Sequence, residues 1–456
     1  MKTKQQSCWT RREFLAVGVG GVAAGVLGRG LAWGAPLDDG RRPPNVVIIF
    51  CDDLGYGDVG CFGARKIRTP NLDRMAAEGM KLTDFHTTSS VCSPSRASLL
   101  TGREFYRTGV DGVLRPNSNA GLRADEVTIA DLLRKQGYAT ACVGKWHLGD
   151  GSQFLPTRHG FDSYFGIPYS NDMGIAAEGK KGQQQTPLMR DEKIIELPVD
   201  QSTLTERYTE ESIRFITANR AKPFFLYLPH TMPHRPISAS ERFKGKSEAG
   251  LYGDVVECID WSVGEILRTL RELDLDGTTL VLFTSDNGAP CRDGREAGNV
   301  HPSNAPLRGG KETPYEGGHR VPCIARWPGK IPVGKACGEL ASTMDVLPTV
   351  AKLAGTGAPA DRVLDGKDIW PLMAGQDGAK SPHEFLCWGA GPAFVRSGKW
   401  KFFVSSWKDG ADAGRLYDLE ADIGETTDVA AANPEVVNRL QRAGQENKAG
   451  RGKPPR

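Results

Sequence analysis

The feature that most constrains the fold of this chain is a set of four short, unbroken apolar runs. The runs cover residues 46–50, 139–143, 224–228 and 280–284. Such runs are typical of strands buried on both faces of a parallel sheet. Helical apolar spacing lies between or beside them, at 72–78, 127–136 and 259–273. At the first of these helices, Asn71 is the expected cap and Gly79 the expected end. Strands and helices that alternate in this way predict a doubly wound α/β sheet.

Polar or charged residues follow each of the four runs. They are Asp52 and Asp53, then Lys145 and His147, then His230 and His234, and last Asp286 and Asn287. Because the carboxyl ends of parallel strands meet at one edge of a sheet, we expect these side chains to lie close together. Each one alone would be read as a solvated loop residue. Four strands that deliver such groups to the same edge indicate a functional site.

The oxygen-bearing residues of this set predict a metal site. Asp52, Asp53, Asp286 and Asn287 offer only hard oxygen ligands, which favours calcium or magnesium over zinc. Neighbouring residues in a strand point to opposite faces. Asp52 and Asp53 can therefore reach one ion only if the backbone bends at the end of the strand. A solvated pair of aspartates on the surface is the alternative.

A cysteine lies at a predicted helix start. Ser93 is expected to cap a helix whose first residue is Pro94. This would place Cys92 at the positive end of the helix dipole, with Arg96 one turn further on. Such a helix start can hold an anion. The plain alternative is a small buried thiol ahead of a short helix.

The segment Cys92-Ser93-Pro94-Ser95-Arg96 resembles the first signature of the sulfatases, and residues 137–147 resemble the second. Shorter matches occur in family order at residues 52–53, 233–236, 286–288, 307–311 and 315–318. The resemblance extends from about residue 44 to the C-terminus. It implies an alkaline-phosphatase-like fold and an enzyme that releases inorganic sulfate from a sulfate ester of a carbohydrate or an aryl alcohol.

The resemblance also implies the cofactors. In this signature the cysteine is oxidised to formylglycine (3-oxoalanine), so residue 92 is expected to act as an aldehyde hydrate. One calcium ion is implied, with magnesium as the alternative. Its expected ligands are Asp52, Asp53, Asp286, Asn287 and residue 92.

Roles for the basic side chains near the sulfate follow from the same resemblance. Lys145 and Lys311 would neutralise the sulfate group. Arg96 would orient the hydrate of Cys92, one hydroxyl of which attacks sulfur.

Two histidines would move protons. His234 is the candidate acid for the leaving oxygen. His147 is the candidate base that takes a proton from the second hydroxyl of the hydrate, so that free sulfate departs and the aldehyde returns. His230, four residues before His234, is a weaker candidate acid.

Two other functions stay open at this point. Phosphodiester and phosphonate monoester hydrolases share the fold, but they tend to carry histidine after the metal-binding aspartate, where this chain has Asn287. A protein that binds sulfated glycans without catalysis would result if Cys92 were never oxidised.

The N-terminal residues 1–34 resemble a twin-arginine export signal. Arg11 and Arg12 precede an apolar stretch over 14–28, which is shorter than a spanning helix. An uncut membrane anchor is the alternative. We expect a periplasmic or extracellular protein that has no membrane contact after signal removal. The expected transient partners are the twin-arginine translocase and a formylglycine-generating enzyme.

Charge and cysteine usage limit the remaining partners. The formal net charge is +3, and residues 1–34 contribute +4 of it, so the rest carries −1. Nucleic acid is therefore not an expected partner. The ten cysteines are scattered and form no CxxC pair, so we expect most of them to be reduced, with any pairing left open.

Two domains are predicted after the signal. Residues 44–375 would form the catalytic α/β domain, and residues 380–448 a small subdomain. In that subdomain the runs at 393–396, 400–404 and 416–419 predict an antiparallel sheet, and 434–445 predict a closing helix.

Overall fold

The computed structural model describes residues 42–176, 184–291, 301–389, 393–406 and 412–450. The predicted export signal at residues 1–34 lies outside the described residues. Among the described helices, none combines the length and the apolar character that a membrane crossing requires.

The strands confirm the four apolar runs, each lengthened by at most one residue at either end. In chain order they are β1 (Asn45–Cys51), β2 (Met80–Leu82), β3 (Phe85–His86), β4 (Ala139–Val143), β5 (Ser163–Gly166), β6 (Ile175–Ala176), β7 (Gln184–Gln185), β8 (Leu188–Arg190), β9 (Lys193–Glu196), β10 (Phe224–Pro229), β11 (Thr279–Ser285), β12 (Ile324–Arg326), β13 (Lys335–Cys337), β14 (Ala341–Ser342), β15 (Leu386–Trp388), β16 (Phe394–Ser397), β17 (Trp400–Phe403) and β18 (Leu416–Asp418).

The α-helices include the predicted ones, with shifted ends. They are α1 (Pro70–Ala77), α2 (Cys92–Thr101), α3 (Phe105–Thr108), α4 (Ile129–Lys135), α5 (Leu204–Ala218), α6 (Gly250–Glu272), α7 (Glu316–His319), α8 (Val346–Leu353), α9 (Trp370–Met373) and α10 (Pro434–Gly450).

The central sheet has its parallel strands in the middle. Within the described residues its order is β13-β2-β12-β11-β1-β10-β4-β5-β8-β9. The five strands from β11 to β5 run parallel. Antiparallel pairs join β12 to β11 on one side and β8 to β5 on the other. The sheet is thus mixed at its edges, because short antiparallel strands extend the predicted parallel centre.

Helices cover both faces of this sheet. Val46, Ile48 and Phe50 of β1 pack in a core with residues of α2, α4 and α8. Val47 and Ile49 face the opposite side, where α1, α5 and α6 pack. Burial on both faces explains why β1 is apolar without alternation. The doubly wound α/β prediction is confirmed.

A separate small sheet follows. Strands β15, β16, β17 and β18 pair antiparallel in that order. Leu440 of α10 packs against Val395, Phe402 and Leu416. The predicted small antiparallel sheet with a closing helix is present, with β15 as an additional strand.

Both predicted caps are wrong. Thr69 precedes α1, and Asn71 lies inside its first turn. The backbone N–H groups of Asn71 and Leu72 donate to the Asp260 carboxylate of α6, at 3.0 and 2.8 Å. The helix start is therefore satisfied by a tertiary contact.

In the second case, α2 begins at Cys92 itself, so Ser93 lies within the helix. The Ser93 hydroxyl instead accepts a hydrogen bond from the Leu114 N–H at 3.2 Å. Cys92 nevertheless occupies the helix start, as predicted.

Candidate active site

The backbone bends directly after β1. Asp53 has a left-handed φ of 64°, a conformation that aspartate tolerates better than most residues. The Asp52 carboxylate contacts Lys145, and the Asp53 carboxylate contacts Asn287 and Lys311. The bend thus lets two adjacent aspartates face one centre. This is the backbone bend at the strand end that a shared metal ion was predicted to require.

The loop after β4 depends on a glycine. Gly144 has a φ of 136°, and a Cβ there would lie 1.9 Å from the Pro229 carbonyl oxygen. The Lys145 N–H donates to the same oxygen at 2.7 Å. This close approach of the chains after β4 and β10 places Lys145 beneath Asp52.

The acidic residues of two strand ends form one cluster with Cys92 and His234. Ligand-capable atoms of Asp52, Asp53, Cys92 and His234 lie within 4.8 Å of one another. Asp286 joins them, since its Oδ1 accepts from the Asp53 N–H at 3.1 Å.

Two buried oxygens in this cluster have no hydrogen-bond donor. Within the described part of the chain, Asp52 Oδ1 and Asn287 Oδ1 accept no hydrogen bond, although Arg96 Nη2 lies 3.5 Å from Asp52 Oδ1. Buried polar oxygens are rarely left without a partner. The side-chain oxygens of Asp52 and Asn287 that accept no hydrogen bond are hard ligands, which fit a divalent cation such as calcium.

Three cations balance the three carboxylates. Arg96 Nη2 lies 2.7 Å from Asp286, Lys145 Nζ 2.5 Å from Asp52 and Lys311 Nζ 2.8 Å from Asp53. Burial opposes ionisation of Asp52, but Lys145 and the other nearby cations outweigh it and hold its pKa well below the usual range.

Asp286 behaves differently. Burial, and then the negative charge of Asp52, raise the pKa of Asp286 to about 7 although Arg96 opposes this. Burial is the larger cause, and the neighbouring Asp52 charge adds to it; a divalent cation bound here would favour the ionised form of Asp286.

Cys92 lies at the edge of the cluster. It is 2% exposed, and its Sγ lies 3.8 Å from Lys311 Nζ. Burial raises the pKa of the thiol well above its ordinary value, despite Lys145. At neutral pH the side chain is therefore a thiol and a weak nucleophile.

His147 is buried and neutral. Burial, and then the charges of Lys145 and Arg96, lower its pKa well below the ordinary value. Its Nε2 lies 2.9 Å from the Leu114 carbonyl oxygen, so Nε2 carries the proton and donates it. Nδ1 then has a free lone pair, and it meets no donor among the described groups.

His234 carries its proton on the opposite ring nitrogen from His147. Its Nδ1 lies 3.0 Å from Asn171 Oδ1 and 2.5 Å from the Arg235 carbonyl oxygen. The Asn171 amide is oriented because its Nδ2 donates to Gln201 and to the Pro236 carbonyl. Nδ1 therefore carries a proton, and Nε2 faces the cluster, 3.6 Å from Asp53 Oδ2.

Sequence reasoning missed the residues that support these groups. Ser170 accepts from Lys145 Nζ at 3.1 Å, and Asn171 orients His234. Both follow β5, the parallel strand next to β4. Ser170 and Asn171 would have been predicted as site residues if β5 had been recognised as a parallel strand, because side chains that follow parallel strands meet at one edge of the sheet.

His230 lies elsewhere. It is fully buried, with Nε2 3.4 Å from Ser262 of α6 and its ring 6.5 Å from that of Tyr208 of α5. Burial lowers its pKa to about 3. The structure therefore gives His230 a packing role and no contact with the cluster among the described residues.

A second acidic group is already neutralised. Asp84, His86 and Glu316 lie close enough to hold a cation. However, Arg396 bridges Asp84 and Glu316 at 2.9 and 2.7 Å, and Lys401 lies 3.1 Å from Glu316. This group is an ion-pair network between the large sheet domain and the small sheet.

Comparison with known proteins agrees with the geometry. A family profile described as Sulfatase matches residues 44–356. N-acetylgalactosamine-6-sulfatase of Canis lupus familiaris is 42% identical over 363 residues, which cover 75% of this chain and 67% of that protein. Arylsulfatase A of Homo sapiens is 39% identical over 447 residues, which cover 88% of this chain and 87% of that protein.

A solved structure supports the same assignment. Ps i-CgsB, in complex with k-i-k-neocarrahexaose, is 30% identical with a TM-score of 0.77, over 91% of this chain and 94% of that one. The resemblance seen in the signatures is confirmed. The chain belongs to the sulfatase family and is a hydrolase of sulfuric esters.

Proposed function

We propose that this chain hydrolyses a sulfate ester of a carbohydrate, with formylglycine at residue 92 and a bound calcium ion. The observation that carries the proposal is the meeting of Cys92, two aspartates and His234 within 4.8 Å. Lys145 and Lys311 lie at the same place. Such a cluster offers a nucleophile position, a cation position and an acid around one point.

The metal would be held by Asp52, Asp53, Asp286 and Asn287, together with residue 92. Asp52 Oδ1 and Asn287 Oδ1, which accept no hydrogen bond among the described residues, support this ligand set. When bound, calcium would supply positive charge to the reacting oxygens. Magnesium is the alternative, since it also prefers oxygen ligands.

Oxidation of Cys92 is supported by the signature and by the state of the thiol. Its raised pKa makes the unmodified side chain a poor nucleophile. Formylglycine would supply a hydroxyl of its hydrate as the nucleophile. The modification requires transient contact with a formylglycine-generating enzyme.

Lys145, Lys311 and Arg96 would receive the sulfate group. A sulfate ester carries one negative charge, which spreads over three oxygens and needs countercharge as the S–O bond breaks. The Lys311 side chain is 14% exposed, while Lys145 and Arg96 are fully buried. Lys311 is thus the cation that a substrate meets first. Arg96, fixed by Asp286 and the Lys145 carbonyl, would orient the hydroxyl of residue 92.

The two histidines hold protons on opposite nitrogens, which suits opposite tasks. His234, protonated at Nδ1 through Asn171, can hold a second proton at Nε2 and donate it to the leaving oxygen. His147, protonated at Nε2, can accept a proton at Nδ1. We assign His234 as the acid and His147 as the base.

The His234→Ala variant should discriminate between leaving groups. We expect kcat/KM to fall on the order of 10²–10⁴-fold for an alkyl or sugar sulfate, and far less for an aryl sulfate. The reason is that a phenolate leaves with little protonation, whereas an alkoxide does not. The measurement is the ratio of the two kcat/KM values.

Two further variants test this assignment. Asn171→Leu removes one of the two acceptors at Nδ1, leaves the Arg235 carbonyl oxygen and keeps the imidazole, so it should give the same pattern with a smaller loss. His230→Ala, a buried histidine outside the cluster, should leave the ratio unchanged. A ratio unaltered by His234→Ala would show that His234 is not the acid.

The His147→Ala variant should slow both substrate types alike, on the order of 10²-fold. If His147 acts after the leaving alcohol has departed, phenol release from an aryl sulfate should show a burst followed by slow turnover. Stopped-flow absorbance measures the burst. A steady rate without a burst, combined with a leaving-group preference, would mean that His147 acts earlier.

A carbohydrate substrate is supported by two relatives. One is named for N-acetylgalactosamine 6-sulfate, and the other was solved with a neocarrahexaose. The direct test is an assay for free sulfate across a panel of sulfated glycans and an aryl sulfate. A phosphonate monoester and a phosphodiester belong in the same panel, and preferred turnover of either would favour the rival hydrolase.

Export through the twin-arginine route to the periplasm or exterior is proposed from residues 10–15, Thr-Arg-Arg-Glu-Phe-Leu. Sequencing the N-terminus of the mature protein tests it. A mature protein that begins at Met1 would contradict cleavage of the signal.

A further inference from the structure

A cavity of about 420 Å³ lies between the large domain and the small sheet. Residues 88–91, which lead into Cys92, line it. Glu312, which follows Lys311, lines it as well, and its N–H donates to the Ser90 carbonyl at 3.1 Å. The two chain segments that carry Cys92 and Lys311 thus form one wall. A cavity of this size accommodates a ligand of one or two rings.

The opposite wall is aromatic. Trp388 and Phe394 of the small sheet line the cavity and stack, with ring centroids 4.9 Å apart and an interplanar angle of 15°. Both rings are buried, at 3% and 0% exposure, so this wall is apolar and closely packed.

A histidine in the same wall lacks partners. His319 is 4% exposed, and neither ring nitrogen has a hydrogen-bond partner among the described residues. Burial, and then the charge of Lys401, lower its pKa to about 3. It is therefore a neutral, buried ring, and it packs edge-on against Trp388 and Phe394.

Among the described residues that line the cavity, the charged side chains are all acidic. Asp111 and Glu312 line it, and both are exposed. The described lining residues include no lysine or arginine. The sulfate position, by contrast, holds Arg96, Lys145 and Lys311. Cations therefore lie at the sulfate position, whereas carboxylates lie in the cavity that the segments leading to Cys92 and from Lys311 line.

We propose that this cavity receives the leaving group of the substrate and selects an uncharged or cationic one over an anionic one. The inference rests on the proposed function. A second sulfate or a carboxylate would meet Asp111 and Glu312 without a compensating cation, which disfavours binding. Hydroxyl groups of an uncharged leaving group could donate to these carboxylates. The preferred substrate class is thus a singly sulfated, otherwise neutral compound.

The test uses three phenyl sulfates that differ in the para substituent, which is carboxylate, carboxamide or trimethylammonium. The Asp111→Asn/Glu312→Gln double variant should raise the ratio of carboxylate to carboxamide kcat/KM at least about tenfold relative to the unaltered enzyme. The ratio of trimethylammonium to carboxamide should fall. Comparing ratios between enzymes cancels the intrinsic reactivity of each ester and the active fraction of each preparation.

The control is an Asp377→Asn/Glu435→Gln double variant. Both side chains are exposed and do not line the cavity, so this variant removes the same charge elsewhere and should leave both ratios unchanged. Equal ratios in the Asp111/Glu312 variant and the unaltered enzyme would overturn the inference. An enzyme that releases sulfate neither from these esters nor from the panel of sulfated glycans would overturn the proposed function, and the inference with it.

Discussion

Cys92→Ala and Cys92→Ser should each lose sulfate ester hydrolysis by on the order of 10³-fold or more while remaining folded. Alanine removes the group that becomes the nucleophile, and serine cannot yield the same residue by thiol oxidation alone. The fold should persist because the thiol makes one long hydrogen bond among the described residues, with Lys311 Nζ at 3.8 Å. The measurements are kcat/KM for an aryl sulfate and the thermal unfolding midpoint.

Mass spectrometry of the peptide that contains residue 92 completes this prediction. Conversion of the thiol to an aldehyde lowers the peptide mass, so the active protein should carry the lighter peptide. Cys61→Ala is the matched control, because Cys61 is a half-buried free cysteine outside the cluster. It should keep both activity and the mass change at residue 92. Full activity in Cys92→Ala would refute the formylglycine mechanism.

Asp286→Asn should lower calcium content and activity together, with activity falling about 100-fold or more. Asp286 receives two bonds from Arg96 and one from the Asp53 N–H. Loss of the Asp286 charge leaves the buried positive charge of Arg96 with less countercharge. Breaking a buried ion pair in this way costs about 3–5 kcal/mol of folding free energy. Asparagine keeps the size and part of the hydrogen bonding, so it is preferable to alanine.

A second variant separates metal binding from folding. Asn287→Ala removes the unpartnered Oδ1, together with one hydrogen bond to Asp53 and one to the Gly288 carbonyl, so it should lose calcium with a smaller loss of stability. Asp377→Asn, at an exposed site, is the control and should keep one equivalent of calcium per chain. Elemental analysis of purified protein measures the metal. One equivalent of zinc without calcium or magnesium would refute the assignment.

The centre of the fold could be read from the sequence because its signals are local. The run over 46–50 is apolar without alternation, and only a strand covered on both faces requires that. The residues that follow the strands were predicted to meet because parallel strands end at one edge. The edge strands could not be predicted, since β2, β12 and β13 have three residues each and carry no period that distinguishes them from loops.

The arrangement inside the site was decided by tertiary contacts. Asp52 and Asp53 were predicted as ligands, but only the left-handed backbone at Asp53 turns both toward one centre. Nothing local marks Asn171 as the residue that orients His234, because the contact joins chain segments 63 residues apart.

The helix caps and the two histidines also show which features are local in sequence and which depend on tertiary contacts. Asn71 has the right chemistry for a cap, yet Asp260 of α6 takes that place, 189 residues away. His230 and His234 are close in sequence, and one packs against α6 while the other faces the aspartates. The sequence by itself determined which chemical groups reach the sheet edge. Their direction and protonation were decided by the tertiary structure, because both depend on partners that only folding brings within hydrogen-bond distance.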